Sequence, residues 1–385
     1  MTLDLELNES EVLLRNAALD FLRRDTPKLV VQGLLDTDTG TTDELWQKAA
    51  DMGWLGIIIP QEYGGSGYPL TSAGVLFEAL GTAPLPGPHF SSTILGSLVV
   101  LHAGNEGQKL ELLPALARGE ETLALAMTEP NYGWDPASIE TTATSSGGEF
   151  ALNGTKTFTM DALAASKLIV VARTASGSEQ DAGISLFLVD RESEGVSVRR
   201  LPGFLSGRTF EVELDGVKVP RSTLLGQENM GWAPLQQAIT EATPILCTYK
   251  AGGCQAVIEM TLNYSRIRVQ FGQAIGRFQR VQDMIIDMVT HSDAAKWASY
   301  EALWKLDTGQ PAIESVHTAK VLASQGYWEV VTLGHQVFSG VGYSRESPIS
   351  FHTRTSRSLH HYLGEPSHHR QELARMLVSP EVSAV

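Results

Sequence analysis

The chain has very little cysteine: of 385 residues, only Cys247 and Cys254 carry a thiol. They stand seven apart in a stretch with helical spacing, two turns along one helix and too far for a disulfide, so two reduced thiols are expected. A disulfide-stapled scaffold is excluded. Positive charge is scarce as well. Lys plus Arg number 29 against 44 Asp plus Glu, a net charge of −15, which excludes nucleic acid or an anionic membrane as a partner held by a general positive field. An anionic ligand must be held by local groups. No segment approaches roughly 18 uninterrupted apolar residues, so no membrane-spanning helix is expected. The opening MTLDLELNESE is acidic and polar, unlike a targeting segment, and a cytoplasmic protein is expected. What remains is ordinary globular material, 43% hydrophobic and 19% charged, long enough for two or three domains.

The hydrophobic period changes twice along the chain. An Asn8/Ser10 cap leads into Glu11–Arg24, and helical spacing returns in Leu70–Leu80, Ser91–Ala103 and Gln108–Arg118 around a loop, PQEYGGSGYPL. That loop lacks the spacing of a dinucleotide fingerprint and reads as structural. From Leu123 six short β-rich runs follow, LALAMTE, EFALNGTKTFTM, KLIVVART, ISLFLVD, VSVRRL and TFEVELDGVKVP, separated by turn residues. They suggest a small antiparallel barrel or sandwich. Beyond Gly231-Trp232 long helical patterns run through Ala233–Arg268, Phe278–Asp307, Ile313–Ser339 and Glu365–Leu377. The expected class is α+β: a helical domain over 1–122, a middle β domain over 123–232 and a helical domain of four-helix-bundle type over 233–385. His352, His360, His361, His368 and His369 crowd the tail, but no ligand spacing stands out and no metal is expected.

Six segments in one order, GWLGIIIPQEYGGSG, AMTEPNYGWD, LNGTKTFTM, VKVP, RVQFGQAIGRFQ and QVFSGVGY, resemble the acyl-CoA dehydrogenase family over nearly the whole chain. The resemblance implies FAD as cofactor, an acyl-CoA thioester as substrate and an electron-transfer flavoprotein or similar acceptor as partner. Met127 and Thr128 end a strand where backbone N–H groups and a hydroxyl can bond the edge of a planar heterocycle, and in the family this turn meets the flavin. Phe158 stands where the family usually has a tryptophan against the isoalloxazine, and keeps the apolar cover. Arg268, Phe271, Gln273 and Gln279 resemble a segment that reaches a neighbouring subunit's FAD, where a guanidinium suits a diphosphate. Gln336 and Gly340 resemble the segment that closes over that dinucleotide, glycine allowing close backbone approach. A homo- or hetero-oligomer, a dimer of dimers, is therefore implied.

The departures fall around the acyl group. The family's catalytic glutamate occupies one of two places, and here they read Leu363, in Tyr362-Leu363-Gly364, and Ala242. Neither side chain accepts a proton. Glu241 lies one position from Ala242, about 100° around a helix, so it substitutes as catalytic base only if the helix is locally shifted, with Pro244 as a reason for such an irregularity. Glu365 is the weaker candidate. Met160 replaces a threonine hydroxyl that usually bonds the flavin N5, Trp134 a serine that meets the CoA, and Thr243 an arginine near the acyl end. Leu363 keeps the N–H that in the family helps polarise the thioester carbonyl, with Gly364 beside it. Three readings follow: a dehydrogenase for a bulky or cyclic acyl-CoA with a relocated base; a base-lacking subunit resembling those of bacterial two-gene acyl-CoA dehydrogenases; or different flavin chemistry on a CoA thioester.

Overall fold

The structure, a computed structural model, describes residues 6–175, 183–203, 207–344 and 346–378. Helix α1 (Glu9–Asp25) opens on a capping box in which Asn8 accepts from the Glu11 N–H and Glu11 returns to the Asn8 N–H, both at 3.0 Å. Two orphan donors of the first turn are thereby satisfied. There follow α2 (Lys28–Leu35), α3 (Asp43–Asp51) and α4 (Leu70–Gly81). Residues 91–103, expected as one α-helix, begin instead as a fully buried π-helical turn, Ser91–Gly96, before continuing as α5 (Ser97–Ala103); α6 spans Glu106–Ala117.

The β-rich runs become β1 (Leu123–Ala126), β3 (Glu149–Met160), β4 (Lys167–Arg173), β5 (Ile184–Asp190), β6 (Val196–Arg200) and β7 (Thr209–Pro220). Two strands of the middle sheet were not legible in the sequence: β2 (Thr142–Ser146), which is small and polar, and the two-residue β8 (Leu224–Leu225). Pairing partners make them strands, not hydrophobic alternation. The sheet runs β6-β7-β3-β2-β4-β5-β8, with β1 paired to β4. Not every pairing is antiparallel. β1 lies parallel to β4, Leu123 opposite Lys167, and β2 meets β4 in parallel at Thr142 and Arg173. The long excursion through β2 and β3 returns the chain in the same direction, as a parallel pair requires. After the sheet come α7 (Trp232–Ile267), the two-stranded hairpin of β9 (Val269–Gln270) and β10 (Gln273–Ala274), α8 (Gln279–Asp307), α9 (Ile313–Phe338), α10 (Ile349–His361) and α11 (Pro366–Val378). The class is α+β, with helices first, a sheet in the middle and helices last.

The described residues form two compact units, one drawn from 34–68 and 86–242, the other from 1–33, 69–85 and 243–385. The first holds the whole eight-stranded sheet, whose core includes Phe150, Leu152, Phe187, Phe210, Val212 and Val217, all essentially inaccessible. Each such aromatic or branched side chain contributes about 1.5–3 kcal/mol by leaving water. The second is helical. Around Cys247, Ala251, Ala295, Ala302, Ala319 and Ala323 its core is built of small side chains, which lets α7, α8 and α9 approach closely. Gly252 marks the limit of this approach, since a Cβ there would lie 1.8 Å from the Glu78 carbonyl oxygen on α4. Among the described residues no helix is long and apolar enough to cross a membrane.

Candidate functional site

In the sheet-containing unit, β1 ends at Ala126 and delivers buried Met127 and half-buried Thr128 to its rim. The Thr157 N–H donates to the Thr128 carbonyl at 2.8 Å, which draws the rim of β1 against β3. Next in β3 comes Phe158, whose backbone is left-handed (φ 53°) at a register shift between Lys156 and Thr159. The ring is 44% exposed, with Tyr132 at 5.6 Å between centroids. An exposed apolar ring on a strained, bulged strand offers a flat face to a planar group. Thr159 pairs with Phe210, a core residue, and so faces the interior, while Met160 pairs with Thr209 and takes the opposite face. Met160 is 7% exposed there and brings no hydroxyl. Trp134 is half-buried in the loop beyond Thr128.

Beneath this rim lies an ion pair that the sequence did not reveal. The Lys156 ammonium donates to Glu129 Oε1 at 2.5 Å and to the Met127 carbonyl at 3.2 Å, with side-chain exposures of 0% for Lys156 and 3% for Glu129. Burial lowers the Lys156 pKa to about 8 against the opposing pull of Glu129. For Glu129, burial works upward, but the Lys156 charge and the hydrogen bonds around Thr141 leave the carboxyl below its ordinary value. Both residues sit in quoted motifs, TEP and NGTK, yet nothing in the string indicates that they meet. A second buried pair, Arg208 to Asp161 at 2.9 Å, follows Met160 directly, with Ser91 of the π-helical turn donating to the other Asp161 oxygen at 2.7 Å.

Helix α7 runs through Pro244 without a break, from Trp232 to Ile267. Ala242 is fully buried, and Glu241 turns to His102 of α5, with Oε2 2.8 Å from His102 Nε2 and Oε1 accepting from Gln237 at 3.2 Å. Both of its oxygens are engaged. His102 is a residue that sequence reasoning missed, since it lies 139 positions away.

The helical unit carries the remaining candidates. Arg268 follows the end of α7, exposed and without a carboxylate partner among the described residues. Phe271 and Gly272 form the two-residue turn between β9 and β10, both with positive φ (51° and 80°), a conformation matched to hairpin twist. This turn holds Phe271 93% exposed. Gln273 is half-buried in β10, and Gln279 is exposed at the start of α8. Gln336 and Gly340 are exposed at the end of α9 and in the 3-10 turn after it, and a Cβ on Gly340 would touch nothing within 4 Å. Thr243 is buried. Leu363 is 4% exposed with φ 57°, and its carbonyl accepts from His369 Nε2 at 2.9 Å. The Gly364 carbonyl accepts from the buried Lys320 ammonium at 2.5 Å, so the turn that carries no carboxylate is clamped at both carbonyls. Glu365 is exposed. Of the tail histidines, buried His352 bonds Tyr327 at 2.8 Å, and burial lowers its pKa to about 3, while His361 is exposed.

The rim fits a flavin. Thr128 offers a hydroxyl with no bonding partner among the described residues, beside the exposed face of Phe158, and a planar ring needs an edge donor and an apolar face. Exposed Arg268 and the unobstructed Gly340 backbone suit a phosphate, one by charge and the other by close approach.

Comparison with known proteins agrees. Residues 8–120, 124–217 and 229–378 match, respectively, the N-terminal, middle and C-terminal domains described for acyl-CoA dehydrogenase. A 3-(aryl)acrylate reductase of Clostridium sporogenes is 32% identical over 92% of this chain and 95% of its own. A cyclohexane-1-carbonyl-CoA dehydrogenase of Geobacter metallireducens is 29% identical over 88% of this chain and 90% of its own. The solved FAD complex of PigA superposes with a TM-score of 0.90 at 27% identity, covering 98% of this chain and 99% of that one. The chain belongs to the acyl-CoA dehydrogenase family, whose members are FAD-dependent oxidoreductases acting on the CH–CH bond of acyl-CoA thioesters.

Proposed function

We propose that this chain interconverts a bulky or cyclic acyl-CoA and its α,β-unsaturated form, as a subunit of an oligomer in which neighbouring copies, or a paralogous chain, complete each other's FAD sites. The observation that carries the oligomer is the β9–β10 hairpin. A phenylalanine 93% exposed on a defined turn, beside an arginine with no carboxylate partner among the described residues and exposed Ile267 and Val269, is a surface that another chain covers. Met127, Thr128, Phe158 and Met160 hold the flavin ring of one subunit. Arg268, Phe271, Gln273, Gln279, Gln336 and Gly340 reach the dinucleotide of its neighbour. Bound FAD supplies the hydride acceptor. Trp134, Ala242, Thr243, Leu363 and Gly364 shape the thioester and acyl site, with the Leu363 N–H polarising the carbonyl. Ala242, Thr243 and Leu363, small or apolar where the family resemblance implies charge, leave room for a ring. The cyclic and aryl groups in the names of the two relatives support this choice. Electrons pass to an electron-transfer flavoprotein in the cytoplasm, and the assembly is a dimer of dimers.

Glu241 is the proton acceptor this chain offers, and it acts only by exchanging its bonds to His102 and Gln237. The second reading is a subunit that lacks a base and pairs with one that has it. The unbroken α7 and the buried apolar Ala242 and Leu363 favour it. Anaerobic titration of the purified flavoprotein with cyclic, aryl and straight-chain acyl-CoAs decides. Bleaching by cyclic or aryl thioesters supports the first reading, binding without bleaching the second. Preference for butyryl- or octanoyl-CoA refutes the bulky-substrate proposal.

A further inference from the structure

Resting on the placement of the flavin ring at Thr128 and Phe158, we infer that the buried Lys156–Glu129 pair is the device that sets these two residues for FAD, and that Lys156 is a positioning residue although no ligand can touch it. The pair joins three separate pieces of chain at one point. From β3, the Lys156 ammonium reaches the Met127 carbonyl at 3.2 Å and Glu129 Oε1 at 2.5 Å, on either side of Thr128. Glu129 also accepts from the N–H of Glu140 at 2.7 Å and of Thr141 at 3.0 Å, so the returning loop closes on the same carboxylate. The two segments pack closely nearby, since a Cβ added at Gly154 would stand 2.4 Å from Thr141 Oγ1. Thr128 is fixed between its neighbours, with its hydroxyl left at the rim.

The same anchor serves the aromatic face. A phenylalanine at φ 53° is strained and persists only where its flanks over-determine it. Here Lys156 and Thr157 hold one flank, through the pair and the Thr157 bond to the Thr128 carbonyl, while the pairing of Thr159 with Phe210 holds the other. The ring is thereby turned out to 44% exposure one residue from the Thr157 N–H that touches Thr128. A desolvated ion pair is a poor source of net stability, since an apolar pair of equal volume commonly does as well. Its distinction is directional: three donors and two oxygens accept one arrangement of three segments, where apolar packing accepts several.

The test measures FAD dissociation constants and melting temperatures of the purified chain for Lys156→Met, Glu129→Gln, Thr128→Ala and Phe158→Ala. A control, Val219→Ala, removes a buried core side chain of the same sheet without touching the pair. Lys156→Met is expected to weaken FAD by roughly 10- to 100-fold, the range for residues that orient a ligand-holding group, and Glu129→Gln by about 10-fold. Val219→Ala should leave affinity within about twofold despite a lower melting temperature. Should Lys156→Met fail to fold, Glu129→Gln, which keeps size and one acceptor, decides alone. Folded pair variants that bind FAD within twofold of the original, or lose affinity only in proportion to melting temperature as the control does, overturn the inference. If Thr128→Ala and Phe158→Ala weaken FAD while the pair variants do not, the positioning role alone fails. If they leave FAD affinity unchanged, the flavin placement fails and the inference with it.

Discussion

Two lysines are buried in the helical unit without an anion between them among the described residues. Lys250 of α7 and Lys320 of α9 are 1% and 0% exposed, and both reach the Ser324 hydroxyl, at 2.8 and 3.3 Å. Lys320 also donates to the Gly364 and His360 carbonyls, yet burial and the neighbouring Lys250 hold its pKa well below the ordinary lysine value. Facing Lys250 are the thiols of Cys247 and Cys254 and, more distantly, His360, none of them negatively charged at neutral pH. Burial lowers the Lys250 pKa from 10.5 to about 8. In the unfolded chain Lys250 binds its proton below 10.5, and in the fold only below about 8. The unfolded state therefore holds more protons between these values, and stability rises with pH across that window. Below about 8 the penalty is fully present, and at 1.36 kcal/mol per tenfold it amounts to about 3 kcal/mol. Lys250→Met keeps length and volume and removes the charge. At pH 7 it should stabilise the chain by up to about 3 kcal/mol, and between pH 7 and 10 that advantage should shrink toward zero. Urea unfolding of both proteins at pH 7, 8.5 and 10, with FAD content matched, measures it. A variant less stable than the original at pH 7, or an advantage independent of pH, refutes the reasoning.

Four further outcomes follow from named contacts. Thr159→Val should raise stability by about 1 kcal/mol, read as a higher urea midpoint, because the Thr159 hydroxyl is buried in an apolar core with no hydrogen-bond partner among the described residues; a fall in midpoint would show that it has one. Gly252→Ala should cost 3 kcal/mol or more, roughly the upper end for overpacking, and a cost below about 1 kcal/mol would mean that α4 and α7 can separate freely. Arg268→Ala should weaken FAD roughly 10- to 100-fold with the fold intact, read by flavin retention on dilution, and unchanged affinity removes Arg268 from the cofactor site. Glu241→Gln should slow flavin reduction in rapid-reaction experiments by roughly 10²- to 10⁴-fold with ligand binding kept, and reduction at the original rate moves the base to a partner chain.

Periodicity alone determined most of the secondary structure. The change from helical spacing to short alternating runs at Leu123, and back at Trp232, is written in local burial demands that a string of residues carries directly. Local chemistry likewise named Asn8, with Ser10, for the cap, of which Asn8 is the one that caps, and gave the termini of β3 and β7 to the residue. Short motifs were enough for the family and hence the cofactor, because the residues that meet a ligand stand in contiguous stretches. Tertiary structure decided the rest. β2 has no apolar alternation of its own and is a strand because β3 offers it a ladder. The π-helical form of Ser91–Gly96 is a packing outcome in a fully buried turn that spacing cannot distinguish from an α-helix. The proline in α7 suggested an irregularity that would rotate Glu241, but the helix continues, and what Glu241 meets is His102, 139 positions upstream. The buried charges obey the same logic: Lys156 and Glu129, Arg208 and Asp161, Lys250 and Lys320 look like any surface residues in the string. Only the folded chain, by removing water from around them, turns each into a partner with a fixed direction.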